Sequence, residues 1–442
     1  MSEQVDPTRA NPPRRHRQST SLAVRSVVLL CVLGVLGWAW FLLRPRVGGS
    51  EETAGADVAG PAVPDSARAA HYVGAQVCGK CHVQRFREFS RTAHHLTSRL
   101  PDSLSIAGSF ESERAILRTR NPNLWFEMSQ REDGFYQTAV FQTPSGEERR
   151  SERIDFVIGS ARLGQTYLYW KGRRLFQLPV SYLTADDRWI NSPGYRDGEA
   201  DFFRPVAPRC LECHATYFEA RSHTNNVFNK EGYVLGISCE RCHGPGSQHV
   251  AFHRANFDAE EAHYILHPGK LPRERLLEVC AQCHSGQGVL AYRPPFSFRP
   301  GKRLGDYILL EDFEKQNQLG VHSTNQLARL SQSRCFQSSP SMTCITCHNP
   351  HVVERGQRER FAERCGKCHT PQACGMVTKV GQTLQSFCVD CHVPRQEDLG
   401  TGIETSGGFE FPRLHDHRIA VYPDVSRRVL ARLPEEGGRR PE

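Results

Sequence analysis

Methionine is almost missing from this chain: Met1, Met128, Met342 and Met376 are the only four in 442 residues. Any chemistry that needs thioethers from methionine at several places is thereby excluded. Apolar residues are also short, at 38% against 36 glycines, although the length suffices for two or three domains. Side chains alone would make a thin core, so something else must help to fill it. Aromatic platforms interleaved with a basic stripe are absent as well, which removes the single-strand nucleic-acid reading of the net charge of +8. Part of that charge sits in an N-terminal tail with Arg9, Arg14, Arg15, Arg17 and Arg25.

Cysteine, in contrast, is abundant and patterned. Fourteen of the 17 cysteines fall in seven copies of Cys-x-x-Cys-His. The copies are Cys78/Cys81/His82, Cys210/Cys213/His214, Cys239/Cys242/His243, Cys280/Cys283/His284, Cys344/Cys347/His348, Cys365/Cys368/His369 and Cys388/Cys391/His392. A framework of paired disulfides would not put a histidine after every second cysteine. Zinc knuckles share the Cys-x-x-Cys half-site but do not need that histidine. Covalent haem c needs all three residues. Two thiols three apart on a helical turn meet the two vinyl groups of one porphyrin, and the next residue lies under the iron as its proximal ligand. The motifs therefore imply seven haems, whose propionates would cancel most of the positive excess. So many haems in so few residues must touch one another and supply the missing core.

The sixth coordination position follows from what is scarce and what is plentiful. Methionine is nearly absent, whereas 13 histidines remain after the seven proximal ones. Bis-histidine ligation, which gives low-potential six-coordinate irons suited to electron transfer, is the expectation. The remaining cysteines are Cys31, in an apolar run, and Cys335 and Cys374, read as either a disulfide or free thiols.

The one long apolar run is Ser26–Leu43, "SVVLLCVLGVLGWAWFLL". As a helix it would span about 27 Å, close to the roughly 30 Å of a hydrocarbon core. Arginines before it outnumber those close after it, which puts the N-terminus in the cytoplasm. No small-x-small site follows Leu43, so an uncleaved signal-anchor is expected rather than a cleaved signal peptide. The expected layout has a cytoplasmic tail at 1–25, a transmembrane anchor at 26–43 and a flexible linker at 44–71. A first haem segment at 72–104, a small β-rich insertion at 105–190, a six-haem domain at 191–419 and a C-terminal tail at 420–442 complete it. The β-rich reading rests on "LWFEMSQREDGFYQTAVFQT", which alternates around an Asp133-Gly134 turn, and on a β-branched and aromatic stretch after it. Elsewhere short helices lead into the motifs and long regular elements are lacking. The fold class expected is a loop-rich multihaem cytochrome c fold with a haem-packed core.

Several stretches carry a resemblance. "YVGAQVCGKCH" with "FSRTAHH", "CERCHGPGSQHV", "VCAQCHSG", "SRCFQSSPSMTCITCHNPH", and "CVDCHVPR" with "HDHRI" are similar to segments of multihaem cytochromes of the cytochrome c-554 type. The similarity runs from about Tyr72 to Ile419. It implies His94, His249, His322, His351 and His417 as distal iron ligands, with His95 and His415 as close alternatives. The resemblance extends to proteins in which such a domain precedes tetratricopeptide repeats, which this chain lacks.

Two functions compete on these grounds. One is a membrane-anchored, exported electron carrier at the bacterial inner membrane, with its haem domain on the periplasmic side and redox proteins as donor and acceptor. The other is a multihaem oxidoreductase acting on nitrite or hydroxylamine at one open iron. Related nitrite reductases often mark that iron with lysine in place of the motif histidine, and here every motif ends in histidine. Electron transfer is therefore the expected role. A zinc-stapled binding module is the third reading.

Overall fold

The structure is a computed structural model that describes residues 71–432 apart from 222–223, 287–290, 310–319, 323 and 382–385. Two units divide the chain, Met1–Ala59 and Gly60–Glu442. The first lies outside the described residues, and with it the anchor expected at 26–43. Among the described residues no helix is long and apolar enough to cross a membrane.

Strands dominate the part between the first two motifs. Ile116–Arg118, Leu124–Arg131, Gly134–Thr143 and Gly146–Arg153 form a four-stranded antiparallel meander. Its central hairpin turns at Asp133-Gly134, where Arg131 pairs with Gly134. Leu124, Phe126 and Met128 are buried while Trp125 and Glu127 between them are half-exposed, as a period of two requires.

A second antiparallel sheet runs in the order Ser98–Arg99, Phe156–Ile158, Gly164–Lys171, Val180–Leu183, Arg188–Asn191, with Arg174–Gln177 also on Gly164–Lys171. Its edge strand, Ser98–Arg99, comes from the first haem segment, so the β-rich part is joined to that segment and not set apart from it.

Gly164–Lys171 explains how this region seats a motif. Tyr167 and Tyr169 point into a core with Phe126, Ile154, Leu178, Val180 and Trp189. Leu168 points the other way, into a second core with Phe156, Phe218, Phe228, Phe296 and Leu211. Leu211 lies inside the second motif and is 1% exposed. Burying such a side chain contributes roughly 2 kcal/mol, which anchors that turn to the sheet. Past Asn191 the helices are short; the longest described one in the motif-rich part, Arg273–His284, has 12 residues. A hairpin of Ala215–Ala220 and Phe228–Leu235 links the second and third motifs.

Candidate functional site

Each motif begins as one helical turn. The amide of His82 donates to Cys78 O at 2.9 Å, that of His348 to Cys344 O at 2.9 Å and that of His369 to Cys365 O at 2.9 Å. Such a bond brings residues i, i+3 and i+4 to one face, so both thiols and the imidazole share a side. Local sequence starts these turns. Ser238 accepts from the Glu240 amide before the third motif, and Thr343 with Thr346 forms a capping box at the fifth.

Motif and non-motif imidazoles meet in pairs. His82 and His249 have ring centres 6.4 Å apart and nearly parallel planes, at 13°. His94 and His284 are 6.3 Å apart at 70°. For His243 and His351 the values are 6.0 Å and 35°, and for His348 and His417 6.0 Å and 28°. A ligating imidazole nitrogen sits about 2 Å from its metal with the ring centre about 1 Å beyond, so two rings on opposite sides of one metal have centres roughly 6 Å apart. The pairs match that spacing. His253 and His263 are also 6.3 Å apart, but neither belongs to a Cys-x-x-Cys-His turn.

Hydrogen bonds orient these rings. His243 Nδ1 donates to Leu266 O at 2.8 Å, His249 Nδ1 to His263 O at 2.8 Å, His284 Nδ1 to Gln326 Oε1 at 3.0 Å and His417 Nδ1 to His415 O at 3.2 Å. A carbonyl oxygen only accepts, so Nδ1 carries the proton and Nε2 keeps its lone pair, as an outer-shell partner of a metal-bound histidine arranges. Burial pulls His94 and His417 down to about 4, helped by the neighbouring imidazoles His284 and His348 for the former and His348 for the latter. His351 is lowered to about 4 chiefly by burial, then by Arg85 and His243. These rings are neutral at physiological pH, the form a metal requires.

The other predicted ligands are placed differently. His214 is half-buried; burial lowers it to about 4, and its Nδ1 lies 3.1 Å from Thr97 Oγ1. His392 Nδ1 donates to Ala420 O at 2.8 Å, and His369 is exposed. Among the described residues none of these three faces a second imidazole at pair distance. His322 accepts the Thr324 amide at Nδ1, 3.1 Å away, and its Nε2 lies 3.2 Å from Thr401 Oγ1 and 3.8 Å from Asp398. That tautomer puts the proton on Nε2, opposite to the four rings above, His243, His249, His284 and His417. Asp398 is 1% exposed, so its carboxylate needs the donors that His322 and Thr401 bring. His95 is wedged edge-on between Phe86 and Phe89, and His415 donates from Nδ1 to Val393 O.

Tertiary contacts bring the motifs together out of chain order. The side chains of Cys78 and Cys239 are neighbours, as are those of Cys213 and Cys283 and of Cys280 and Cys344. Cys242 acts on Cys280, Cys368 on Cys347 and Cys388 on Cys365 electrostatically. The motifs thus run first, third, fourth, fifth, sixth, seventh, with the second attached to the fourth. Glu240, 1% exposed, holds the first junction: its carboxylate accepts from the amides of Val73, Gly74 and Gly246, each at 2.8 Å. Gly236, at φ +66°, lets the chain before the third motif press on His95 O, and the Ile237 amide donates to His94 O at 2.9 Å.

Sequence reasoning missed Glu212, Glu240, Arg241 and Gln282. They occupy the variable middle of motifs, where nothing local marks them as buried. Cys335 and Cys374 are free thiols, beside different motifs: Cys335 acts on Cys347, Cys374 on Cys388. The disulfide alternative is corrected accordingly.

The donor sets fit haem. They are paired thiols beside paired imidazoles, and among the described residues no three His, Cys, Asp or Glu side chains converge as a zinc knuckle requires. A cavity of about 510 Å³ opens beside Cys81 and His82, lined also by Val83, Gln84, Arg85 and Glu88.

Comparisons with known proteins agree. Residues 186–244 match the family model described as cytochrome c554 and c-prime. The multihaem cytochrome MtrA of Shewanella baltica is 24% identical over 208 residues, 44% of this chain and 48% of its own length. The dissimilatory sulfite reductase MccA of Wolinella succinogenes is 18% identical over 383 residues, 73% of this chain and 50% of its own. The chain spans about half the length of these curated relatives. In fold it is similar to the outer cell wall cytochrome OcwA, with a TM-score of 0.52, 16% identity and 81% of each chain covered. Taken with the seven Cys-x-x-Cys-His turns, these relationships make the chain a multihaem c-type cytochrome.

Proposed function

We propose that this cytochrome is an electron relay, exported and tethered to the bacterial inner membrane through 26–43, with seven covalent haems passing electrons between a redox donor and acceptor. The observation that carries the reading is the set of four facing imidazole pairs, each uniting a motif histidine with one outside the motifs. A haem bound at each motif supplies one-electron redox chemistry. The chain's own residues do the rest. His249, His351, His94 and His417 would close the second face of the haems at the first, third, fourth and fifth motifs, leaving no position for a substrate. Carbonyl partners at Nδ1 hold four of the eight rings, so little rearrangement accompanies a change of charge. His322 drops from the distal set, because its ring is committed to Asp398 and Thr401 with the other tautomer. The contact order of the motifs favours a continuous path.

A second reading is favoured by His214. Its ring is half-buried, no imidazole of the described residues stands opposite it, and its motif branches from the fourth instead of extending the path. Small-molecule reduction would be favoured at that iron over those beside His369 and His392, whose motifs extend the path. One relative is named a sulfite reductase, which supports keeping this reading.

The test is the reduced holoprotein's spectrum with and without carbon monoxide, alongside its mass. Seven haems with little carbon monoxide binding fit a pure relay. One bound equivalent with turnover of nitrite, hydroxylamine or sulfite selects the second reading, and absence of haem defeats both.

A further inference from the structure

At the junction of the second, third and fourth motifs lies a buried cation that no carboxylate of the described residues pairs. Arg241, a middle residue of the third motif, is 4% exposed. One of its Nη2 hydrogens goes to Glu212 O at 2.9 Å, inside the second motif. Its carbonyl accepts from Gln282 Nε2 at 3.3 Å, inside the fourth. The guanidinium stands over the Phe296 ring at 5.5 Å, and its Nε–H is buried with no acceptor. Among the described residues no carboxylate reaches ion-pair distance. The nearby Arg209 makes the contrast, since it is paired with Glu212 at 3.5 Å.

Burying an unpaired charge is costly, and proteins normally supply a counter-ion. Arg241 is instead set against sulfur. Cys283 Sγ donates to the same Glu212 carbonyl at 3.6 Å, so guanidinium and sulfur are at most 6.5 Å apart, the two bonds laid end to end. Cys213, beside Cys283, also feels the Arg241 charge. Once both sulfurs are haem thioethers they carry no charge of their own, and no protein carboxylate of the described residues pairs with the guanidinium. What can respond is the electron that arrives on either haem.

We propose that Arg241 is a positioning residue acting electrostatically: its fixed, buried positive charge raises the reduction potentials of the haems at the second and fourth motifs. Those two then hold electrons in preference to their neighbours, at the point where the path branches. The inference rests on haem attachment at these motifs but not on whether the iron beside His214 takes a substrate.

Potentiometric titration of the purified holoprotein, followed in the visible spectrum, tests it with Arg241→Met and Arg241→Lys, with haem counted by mass in each. Arg241→Met should keep seven haems and lower two midpoints, each by at least tenfold in its reduction equilibrium, about 59 mV for a one-electron couple. Lysine, which keeps the charge but not the fork, should stay close to wild type. Unchanged potentials in a fully loaded Arg241→Met overturn the proposal. So does a lysine variant as shifted as methionine, which would show that the hydrogen bond to Glu212 matters and the charge does not. Should Arg241→Met lose haem, the lysine variant decides: wild-type potentials support the charge role, and haem loss there too overturns it in favour of a structural one. A wild type without haem would instead remove the underlying cytochrome reading.

Discussion

His351 faces His243 with ring centres 6.0 Å apart, although the fourth and fifth motifs lie between them in the chain. The bend that aims it is local: Asn349 Oδ1 accepts the His351 amide at 3.0 Å, and Pro350 stops the preceding helical turn from continuing. His351→Ala should therefore open the iron at the third motif, not the one on its own neighbour His348. Electron paramagnetic resonance should show one low-spin haem become high-spin, with one more equivalent of carbon monoxide bound than in wild type. An unchanged spin state would remove His351 from the ligand set.

Gly236 is the tightest backbone contact near the pairs. It sits at φ +66°, and a Cβ there would lie 2.2 Å from His95 O. Gly236→Ala should cost about 2–4 kcal/mol in a denaturant melt, from left-handed strain and forced displacement together. Because the neighbouring Ile237 amide holds His94 O, the variant should also weaken the low-spin signal of the haem at the fourth motif.

Arg329 and Asp416 form a buried fork, with Nε to Oδ1 at 2.8 Å and Nη2 to Oδ2 at 2.6 Å. Asp416 is 0% exposed, and Gln396, Tyr422 and the Arg418 amide also donate to it. Asp416→Asn leaves the guanidinium buried without its anion, a loss of about 3–5 kcal/mol. Unfolding followed by haem absorbance should show it, with His417, one residue on, loosened from His348.

Removing both thiols of the third motif, Cys239→Ala with Cys242→Ala, should lower the holoprotein mass by one haem. Since that haem would also be core between the first and fourth motifs, the variant should lose several kcal/mol of stability, as structural cofactor sites do. An unchanged mass would sink the attachment reading.

Expressed in a bacterium able to mature c-type cytochromes, the full chain should stay with membranes after a high-salt wash. A soluble form beginning near residue 50 would show that 26–43 is a cleaved signal and not an anchor.

The hairpin at Asp133-Gly134 and the seven motif turns were legible for the same reason: their interactions close within a few residues. Alternation of Leu124, Phe126 and Met128 declares a strand face, and a cysteine, a second cysteine and a histidine at i, i+3 and i+4 land on one side of a turn whatever surrounds them. The strand Ser98–Arg99 was not legible, because two residues carry no period and only Val157 and Ile158 across the sheet make them a strand.

The distal side divides along the same line. Cysteine spacing by itself determined where two thiols and a motif imidazole share one face, since that geometry is local. Which histidine stands opposite which was decided only by tertiary structure, because thirteen leftover imidazoles are alike in sequence. His249, His351, His94 and His417 were brought to their partners by contacts made elsewhere, Glu240 on Val73 and Gly74 and Gly236 beneath His95 among them. His322 reads in sequence like the other four, and only the tertiary structure sets its ring beside a buried carboxylate from a distant loop, Asp398. The unpaired charge of Arg241 belongs to the same class: a residue type is local, but whether an anion lies beside it depends on every segment packed around it.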